Sequence, residues 1–291
     1  MPFGKSRVES RRCGALLKTR ALTMGADANL RCTVLGVEYV VADMAAATTA
    51  VVERALSGQG GYASLAGVHG VVTAQHRPQL KSALDDAWAN LADGEPVAWM
   101  MRRLGAKTAR RVAGPDLMPS VIDAGQTHGL RHFMFGSTPE VLERLGDNLH
   151  RWYPQAKIVG TMSPPYRPLT DEEERQITDQ IRSSGAHIVW VGLGLPKQDE
   201  WMWRNASRLT PCMALGVGAA FDFLAGTKPR APMWMRRRGL EWLHRVSSEP
   251  RRLGWRYAST NSEFVVRATP QLMRHWSRKV LEAPGAMRSR R

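Results

Sequence analysis

The second half of the chain alternates short apolar runs with longer segments whose apolar positions recur at helical spacing. Leu130–Phe135, Lys157–Gly160, His187–Val191 and Cys212–Val217 are the short runs, apolar at successive positions as in strands covered on both faces. Ser137-Thr138-Pro139-Glu140 opens a helix that runs to Tyr153, and Thr170 with Glu173 forms a capping box for another that ends at Arg182. Strands and helices alternating through short connections predict an α/β fold: a mostly parallel sheet with helices on both faces.

The first half is patterned less sharply. Thr33–Val41 reads as a strand, Asp43 caps a helix to about Leu56, and Gly58, Gly60 and Gly61 end it. A second strand is expected over His69–Ala74, with Thr73, Gln75 and His76 at its end, and Pro78 starts a helix through Ala87. Leu91–Trp99 reads as a short strand broken at Asp93-Gly94, a turn dipeptide, and a helix starts at about Leu117.

After Gly226 the texture changes. Met233–Val246 reads as one helix bearing Arg236, Arg237 and Arg238, followed by Arg251, Arg252 and Arg256. Beyond Pro270, Leu272, Trp276 and Val280 recur at i, i+4 and i+8 among basic residues. Such a stripe suits either an anionic membrane surface or an ordinary surface helix packed on the core.

Charge sharpens this division. Met1–Arg31 carries seven basic and two acidic residues, and Lys228–Arg291 sixteen and four, giving +5 and +12. Cys32–Thr227 therefore carries −2 of the total +15. The expected organisation is a basic, disordered extension at 1–31, a core at 32–232 and an arginine-rich appendage at 233–291. Basic ends attract polyanions: nucleic acid, lipid headgroups or phosphorylated substrates. No apolar run reaches the roughly 20 residues that span a bilayer, and Cys13, Cys32 and Cys212 are widely separated, as in a reducing compartment.

The candidate chemistry concentrates in HIVWVGLGLPKQDEWMW, His187–Trp203. A buried strand turns at Gly192-Leu-Gly194, and Pro196, Lys197, Gln198, Asp199 and Glu200 arrive where a helix begins. The carboxyl edge of a parallel sheet is where ligands bind, and free N–H groups there suit an anion. Neither Gly192-Leu-Gly194 nor Gly216-Val-Gly218 completes GxGxxG. Asp93 reads either as a turn aspartate or as a general base, and Gln198 either as a helix cap or as a ligand contact. Thr73 and Gln75 either meet a ligand or finish a strand. The chain has no Asp-x-Asp, so a leaving diphosphate would be neutralised by Lys or Arg rather than by a chelated metal.

In this order the residues resemble the TagA/WecG/CpsF family of bacterial glycosyltransferases, glycosyltransferase family 26, from about Thr33 to Tyr257. The resemblance rests on Thr73-Ala-Gln75, Asp93-Gly94, Arg111-Val-Ala-Gly114-Pro-Asp116 and Phe135-Gly136, then on Tyr153-Pro154 and Ile158-Val-Gly160. It continues through Gly192-Leu-Gly-Leu-Pro-Lys-Gln198, Gly216-Val-Gly218, Phe221-Asp222, Arg230-Ala-Pro232 and Gly239-Leu-Glu-Trp242 to Glu249-Pro-Arg251. Gln75 stands for the family's asparagine, Asp199 for its glutamate, and Ser163-Pro-Pro-Tyr166 for its glycine-aromatic loop.

The resemblance implies a Rossmann-like core and an inverting, metal-independent transfer, with no cofactor. A sugar of N-acetylmannosamine, mannosaminuronate or glucose type would pass from a UDP-sugar to a polyprenyl-diphosphate-linked glycan acceptor. The enzyme would be cytoplasmic and peripheral on the inner membrane face, with homo-oligomer formation left open. It makes Asp93 the general base, and Thr73 and Gln198 sugar or acceptor contacts. Gln75, Gly136, Gly160, Gly194, Pro196 and Lys197 fall in the substrate site, with Arg230, Arg245, Arg251, Arg252 and Arg256 as candidate diphosphate ligands. Two other readings are a nucleic-acid-binding protein, for which no recognition signature is present, and an inactive, scaffold-like relative.

Overall fold

The computed structural model describes residues 30–281. The extension expected at 1–31 thus lies, but for its last two residues, outside the described residues.

The chain opens with a hairpin, β1 (Arg31–Val34) and β2 (Val37–Val40), paired antiparallel. This corrects the single strand expected over Thr33–Val41. Leu35 and Gly36 both take positive φ, 46° and 77°, the left-handed pair that two-residue hairpin turns require. Helix α1 (Met44–Leu56) follows, with Asp43 accepting from the Ala46 N–H as N-cap.

The main sheet is six-stranded, in the order β4-β3-β8-β7-β5-β6, and every pairing is parallel. Its strands are β3 (Gly61–Ala66), β4 (Ala89–Ala92), β5 (Arg131–Gly136), β6 (Lys157–Met162), β7 (Ile188–Gly192) and β8 (Met213–Gly216). The connecting helices are α2 (Val68–His76), α3 (Pro78–Asp86), α4 (Glu95–Arg103), α5 (Gly114–Gly125), α6 (Pro139–Trp152), α7 (Asp171–Ser183), α8 (Lys197–Leu209) and the short α9 (Ala220–Leu224).

Strand alternation divides the core between the two faces. Ile188, Trp190, Met213 and Leu215 pack with α1, α5, α6 and α9. Val189, Val191, Phe133, Phe135 and Ala214 pack with α7 and α8. Edge strand β6 is only partly covered.

Two further expectations are corrected. The strand of this stretch is GYASLA, Gly61–Ala66, and His69–Ala74 belongs to helix α2. Val71, Val72 and Ala74 are apolar enough for either state, and the preceding all-buried strand takes the place between β4 and β8. Likewise only Ala89–Ala92 is strand before Asp93-Gly94, and Glu95-Pro96 opens α4.

The basic end is helical, as α10 (Met233–Arg237), α11 (Glu241–Ser248) and the long α12 (Pro250–Leu281). Gly239, at φ 71°, splits the one helix expected over 233–246, while Pro270 lies inside α12 instead of starting a helix. Helix α12 is docked rather than free. Phe264, Ala268 and Leu272 enter the same buried cluster as the hairpin and α2. Gln271 also bridges the hairpin, its Oε1 accepting from the Leu35 N–H at 2.9 Å and its Nε2 donating to the Thr33 carbonyl at 2.7 Å. Leu272 therefore faces the core rather than an external surface, and Val280's side chain is outside the described residues.

Candidate active site

Because all six strands run the same way, the turns after them share one edge of the sheet. Glycines let these turns touch backbone to backbone. A Cβ on Gly67, after β3, would lie 2.1 Å from the Asp93 carbonyl oxygen. One on Gly136, where β5 ends, would lie 2.7 Å from Gly192, and one on Gly114 2.9 Å from the Val217 carbonyl. The ends of β3, β4, β5, β7 and β8 thus form one continuous floor.

Asp93 lies on that edge, partly exposed, between β4 and α4, its N–H directed to the Ala66 carbonyl at 3.4 Å. Gly136, Gly194, Pro196 and Lys197 lie along the same edge. Lys197 is exposed at the start of α8, with its ammonium 5.2 Å from the centre of the Tyr166 ring. Tyr166 is fully exposed on the loop after β6, which Ser163 Oγ ties to the β5–α6 turn by donating to the Ser137 carbonyl at 2.7 Å. A fully exposed aromatic beside a cation is a candidate ligand contact that was not among the expected site residues. Pro164-Pro165 before it was the available signal.

Other expected site residues are placed in structural roles. Thr73 is not at a strand end but inside α2, roughly 8 Å along it from the edge at 1.5 Å per residue, and its Oγ1 lies 3.2 Å from His69 Nδ1. His69 lies on the first turn of α2, closer to the edge than Thr73. Gln75 is turned away, donating to the carbonyls of Leu35 at 2.8 Å and Val71 at 3.0 Å. Gly160 is in β6, where a Cβ would fall 2.4 Å from the Phe133 ring. Gln198 is buried, and its Oε1 accepts from the Gly194 N–H at 3.2 Å and the Gly218 N–H at 3.0 Å. It joins the β7 and β8 turns rather than capping its own helix.

Beside Asp93 lies a network of guanidinium and carboxylate groups. Arg230 donates to both Asp116 oxygens at 2.8 and 2.6 Å and to Glu241 at 3.3 Å. Arg111 also pairs with Glu241, and Arg236 reaches Asp116 at 3.5 Å. Burial opposes the charge on Arg230, and the two carboxylates more than offset it, so the side chain stays protonated. Three arginines share two acids, leaving net positive charge next to the edge. Arg251 is exposed at the start of α12, and the side chains of Arg245, Arg252 and Arg256 lie outside the described residues.

Beneath the edge, Asp199 is buried on the first turn of α8, where it accepts from Ser64 Oγ. Burial pushes its carboxyl up to about 6, partly opposed by the Ser64 and Gln198 side chains. Next to it Glu200 pairs with Arg77 at 2.5 and 3.0 Å.

A parallel, doubly wound sheet whose carboxyl edge gathers a carboxylate, glycine turns and guanidinium groups defines a Rossmann-like α/β enzyme. The chain belongs to the WecG/TagA/CpsF family of glycosyl transferases, whose family model matches residues 32–278, and it is a glycosyltransferase. It is 29% identical over 192 residues to the N-acetylglucosaminyldiphosphoundecaprenol N-acetyl-beta-D-mannosaminyltransferase of Bacillus spizizenii, a match covering 66% of this chain and 72% of that protein.

Proposed function

We propose that this glycosyltransferase takes a sugar from a UDP-sugar and inverts it onto a hydroxyl of a polyprenyl-diphosphate-linked glycan, in the synthesis of a cell-surface polysaccharide. The acceptor class is supported by the relative, which is named for a diphosphoundecaprenol acceptor. The chemistry rests on one observation: Asp93 is a partly exposed carboxylate on the carboxyl edge, backed by Gly67 and flanked by the arginine network.

In this reading Asp93 takes the proton from the acceptor hydroxyl as its oxygen attacks the anomeric carbon, and the bond to UDP breaks. The departing diphosphate lies towards the backbone N–H groups of the glycine turns and Lys197, where positive charge neutralises it without a metal. Tyr166 beside Lys197 suits a flat or apolar part of the donor.

Residues 233–281 favour apposition to the inner face of the membrane. No described helix is long and apolar enough to cross a bilayer. Met233, Trp234, Trp242, Leu243 and Trp255 are exposed, and the Arg238 guanidinium lies 5.9 Å from the Trp234 ring. Exposed aromatics among arginines suit the interface of an anionic bilayer. This surface replaces the Leu272 stripe as the membrane-facing candidate.

The test is Asp93→Asn, assayed with single UDP-sugars and a short-chain polyprenyl-diphosphate acceptor sugar. Turnover should fall about 10²–10⁴-fold, the range of a lost general base, with the melting curve unchanged. Near wild-type turnover would overturn the assignment.

A further inference from the structure

Of the three guanidinium groups beside the edge, one is left short of partners. Arg230 donates to both Asp116 oxygens, to Glu241 and to the Pro115 carbonyl. Arg111 is paired with Glu241. Arg236 reaches Asp116 only through Nη1, at 3.5 Å, on an oxygen that already accepts from Arg230 at 2.8 Å. Its Nε is buried without a hydrogen-bond partner among the described residues, and the side chain as a whole is only 21% exposed. A buried guanidinium that lacks acceptors is costly. A methionine like its neighbour Met235 would fill similar space without that cost. The orphaned donor therefore calls for an anion that the chain itself does not supply.

The position of Arg236 says which anion. It lies on the five-residue helix α10, whose Met233 and Trp234 are exposed. One short element thus turns apolar side chains to the outside and a guanidinium to the inside. The turn that ends α10 touches the Asp93 turn. The Gly239 N–H donates to the Arg236 carbonyl at 3.1 Å, and a Cβ on Gly239 would lie 2.9 Å from Cβ of Glu95, two residues after Asp93. Glu95 is itself paired with Arg102. On the core side, the Val112 N–H next to Arg111 donates to the Ala92 carbonyl, at the end of β4, at 2.9 Å.

The cluster is therefore on the Asp93 side of the edge. Asp116, at the start of α5, sets it over the sheet face on which α5 packs, whereas Lys197 starts α8 on the opposite face. With the donor's diphosphate towards Lys197, the cations around Arg236 remain for a second diphosphate, on the side of the base.

We propose that Arg236 binds the diphosphate of the lipid-linked acceptor, turning its guanidinium from Asp116 to the phosphate oxygens and so setting the acceptor hydroxyl against Asp93. The prenyl chain then leaves past Met233 and Trp234. A guanidinium suits this task because its fork donates two parallel hydrogen bonds to phosphate oxygens. The assignment rests on the acceptor being a polyprenyl diphosphate, as proposed above.

The test compares full-length wild type, Arg236→Met and Arg236→Lys on two short-chain acceptors that dissolve without a bilayer. One is the polyprenyl-diphosphate sugar, the other the same sugar on a polyprenyl monophosphate. In Arg236→Met the KM for the diphosphate acceptor should rise about 10–100-fold, as when a hydrogen-bonded charge pair is lost. The donor KM and kcat should stay close to wild type, because ground-state binding alone is removed, and the melting midpoint should be unchanged or higher. The preference for diphosphate over monophosphate should shrink with the rise in KM, which a packing defect would not cause. Arg236→Lys keeps the charge without the fork; it should fall between the two and carries the test if Arg236→Met folds poorly.

A wild-type protein that uses no polyprenyl-diphosphate acceptor overturns the acceptor reading and this one with it. If wild type uses that acceptor while Arg236→Met keeps its acceptor KM and its diphosphate preference, only the role of Arg236 is overturned. A rise in the donor KM instead would assign the guanidinium to the donor's diphosphate and refute the acceptor role.

Discussion

Gln198 offers the clearest separation of a structural clamp from a ligand contact. Replacing it by alanine removes the acceptor shared by the Gly194 and Gly218 N–H groups. It also opens space under Gly216, where a Cβ would lie 2.8 Å from the glutamine amide. Each N–H left without an acceptor costs about 1–3 kcal/mol when buried. The two turns are only partly buried, so water recovers some of this, and the expected loss is about 2–4 kcal/mol. For a chain of this size that lowers the melting midpoint by about 5–15 °C. Gln198→Glu keeps an acceptor but loses the amide donor to Asp199 and sets a second carboxyl beside it, so it should lose about as much as alanine, while Gln198→Met keeps the volume and should also behave like alanine. The assay is thermal unfolding of the three variants, with hydrogen exchange at the β7 and β8 turns to localise the effect. A Gln198→Ala protein that melts within about 1 °C of wild type, where 2–4 kcal/mol predicts several degrees, yet has lost turnover would refute the clamp and restore the ligand contact.

Asp199 makes a pH-dependent prediction. Its carboxyl is raised from 3.8 to about 6 in the fold, so the folded state holds that proton more tightly than the unfolded chain. The contribution is complete below the unfolded value and is lost as pH rises through about 6, a change on the order of 1–3 kcal/mol. Asp199→Asn has no proton to release, so denaturant midpoints across this window should fall less steeply than in wild type; parallel curves would place the titration elsewhere. Glu241→Ala should leave Arg111 and Arg230 short of a carboxylate, weakening the attachment of α11 by about 1–3 kcal/mol, with solvent screening setting the lower end. Proteolysis between α9 and α11 reads this directly, and an unchanged cleavage rate would show that the network adds no net stability.

The alternation of apolar runs and capped amphipathic helices from residue 130 to 217 is local information, and it was enough to determine a parallel α/β sheet. Thr170 and Glu173 illustrate why: the capping box is complete within four residues, and the structure closes it as read. Asp93-Gly94 was legible as a turn, but as a break within a strand; its place at the end of β4, with a helix after it, came from the fold.

What only the tertiary structure decided concerns residues whose local pattern allowed two states. His69–Ala74 became helix because Gly61–Ala66 occupied the strand position between β4 and β8. That choice moved Thr73 and Gln75 off the edge and brought Gly67 onto it. Gln198 and Arg230 are polar residues beside a ligand edge in sequence terms, but their partners are 20 and 114 residues away, at Gly218 and Asp116. Tyr39 shows the same limit most sharply. In the sequence it is one apolar position of a strand; folding buries its ring completely, in the cluster that also holds Ala66 of β3 and Ala92 of β4. Strand and helix propensities are written over a few neighbouring residues, whereas burial and pairing of a polar group depend on where distant segments meet.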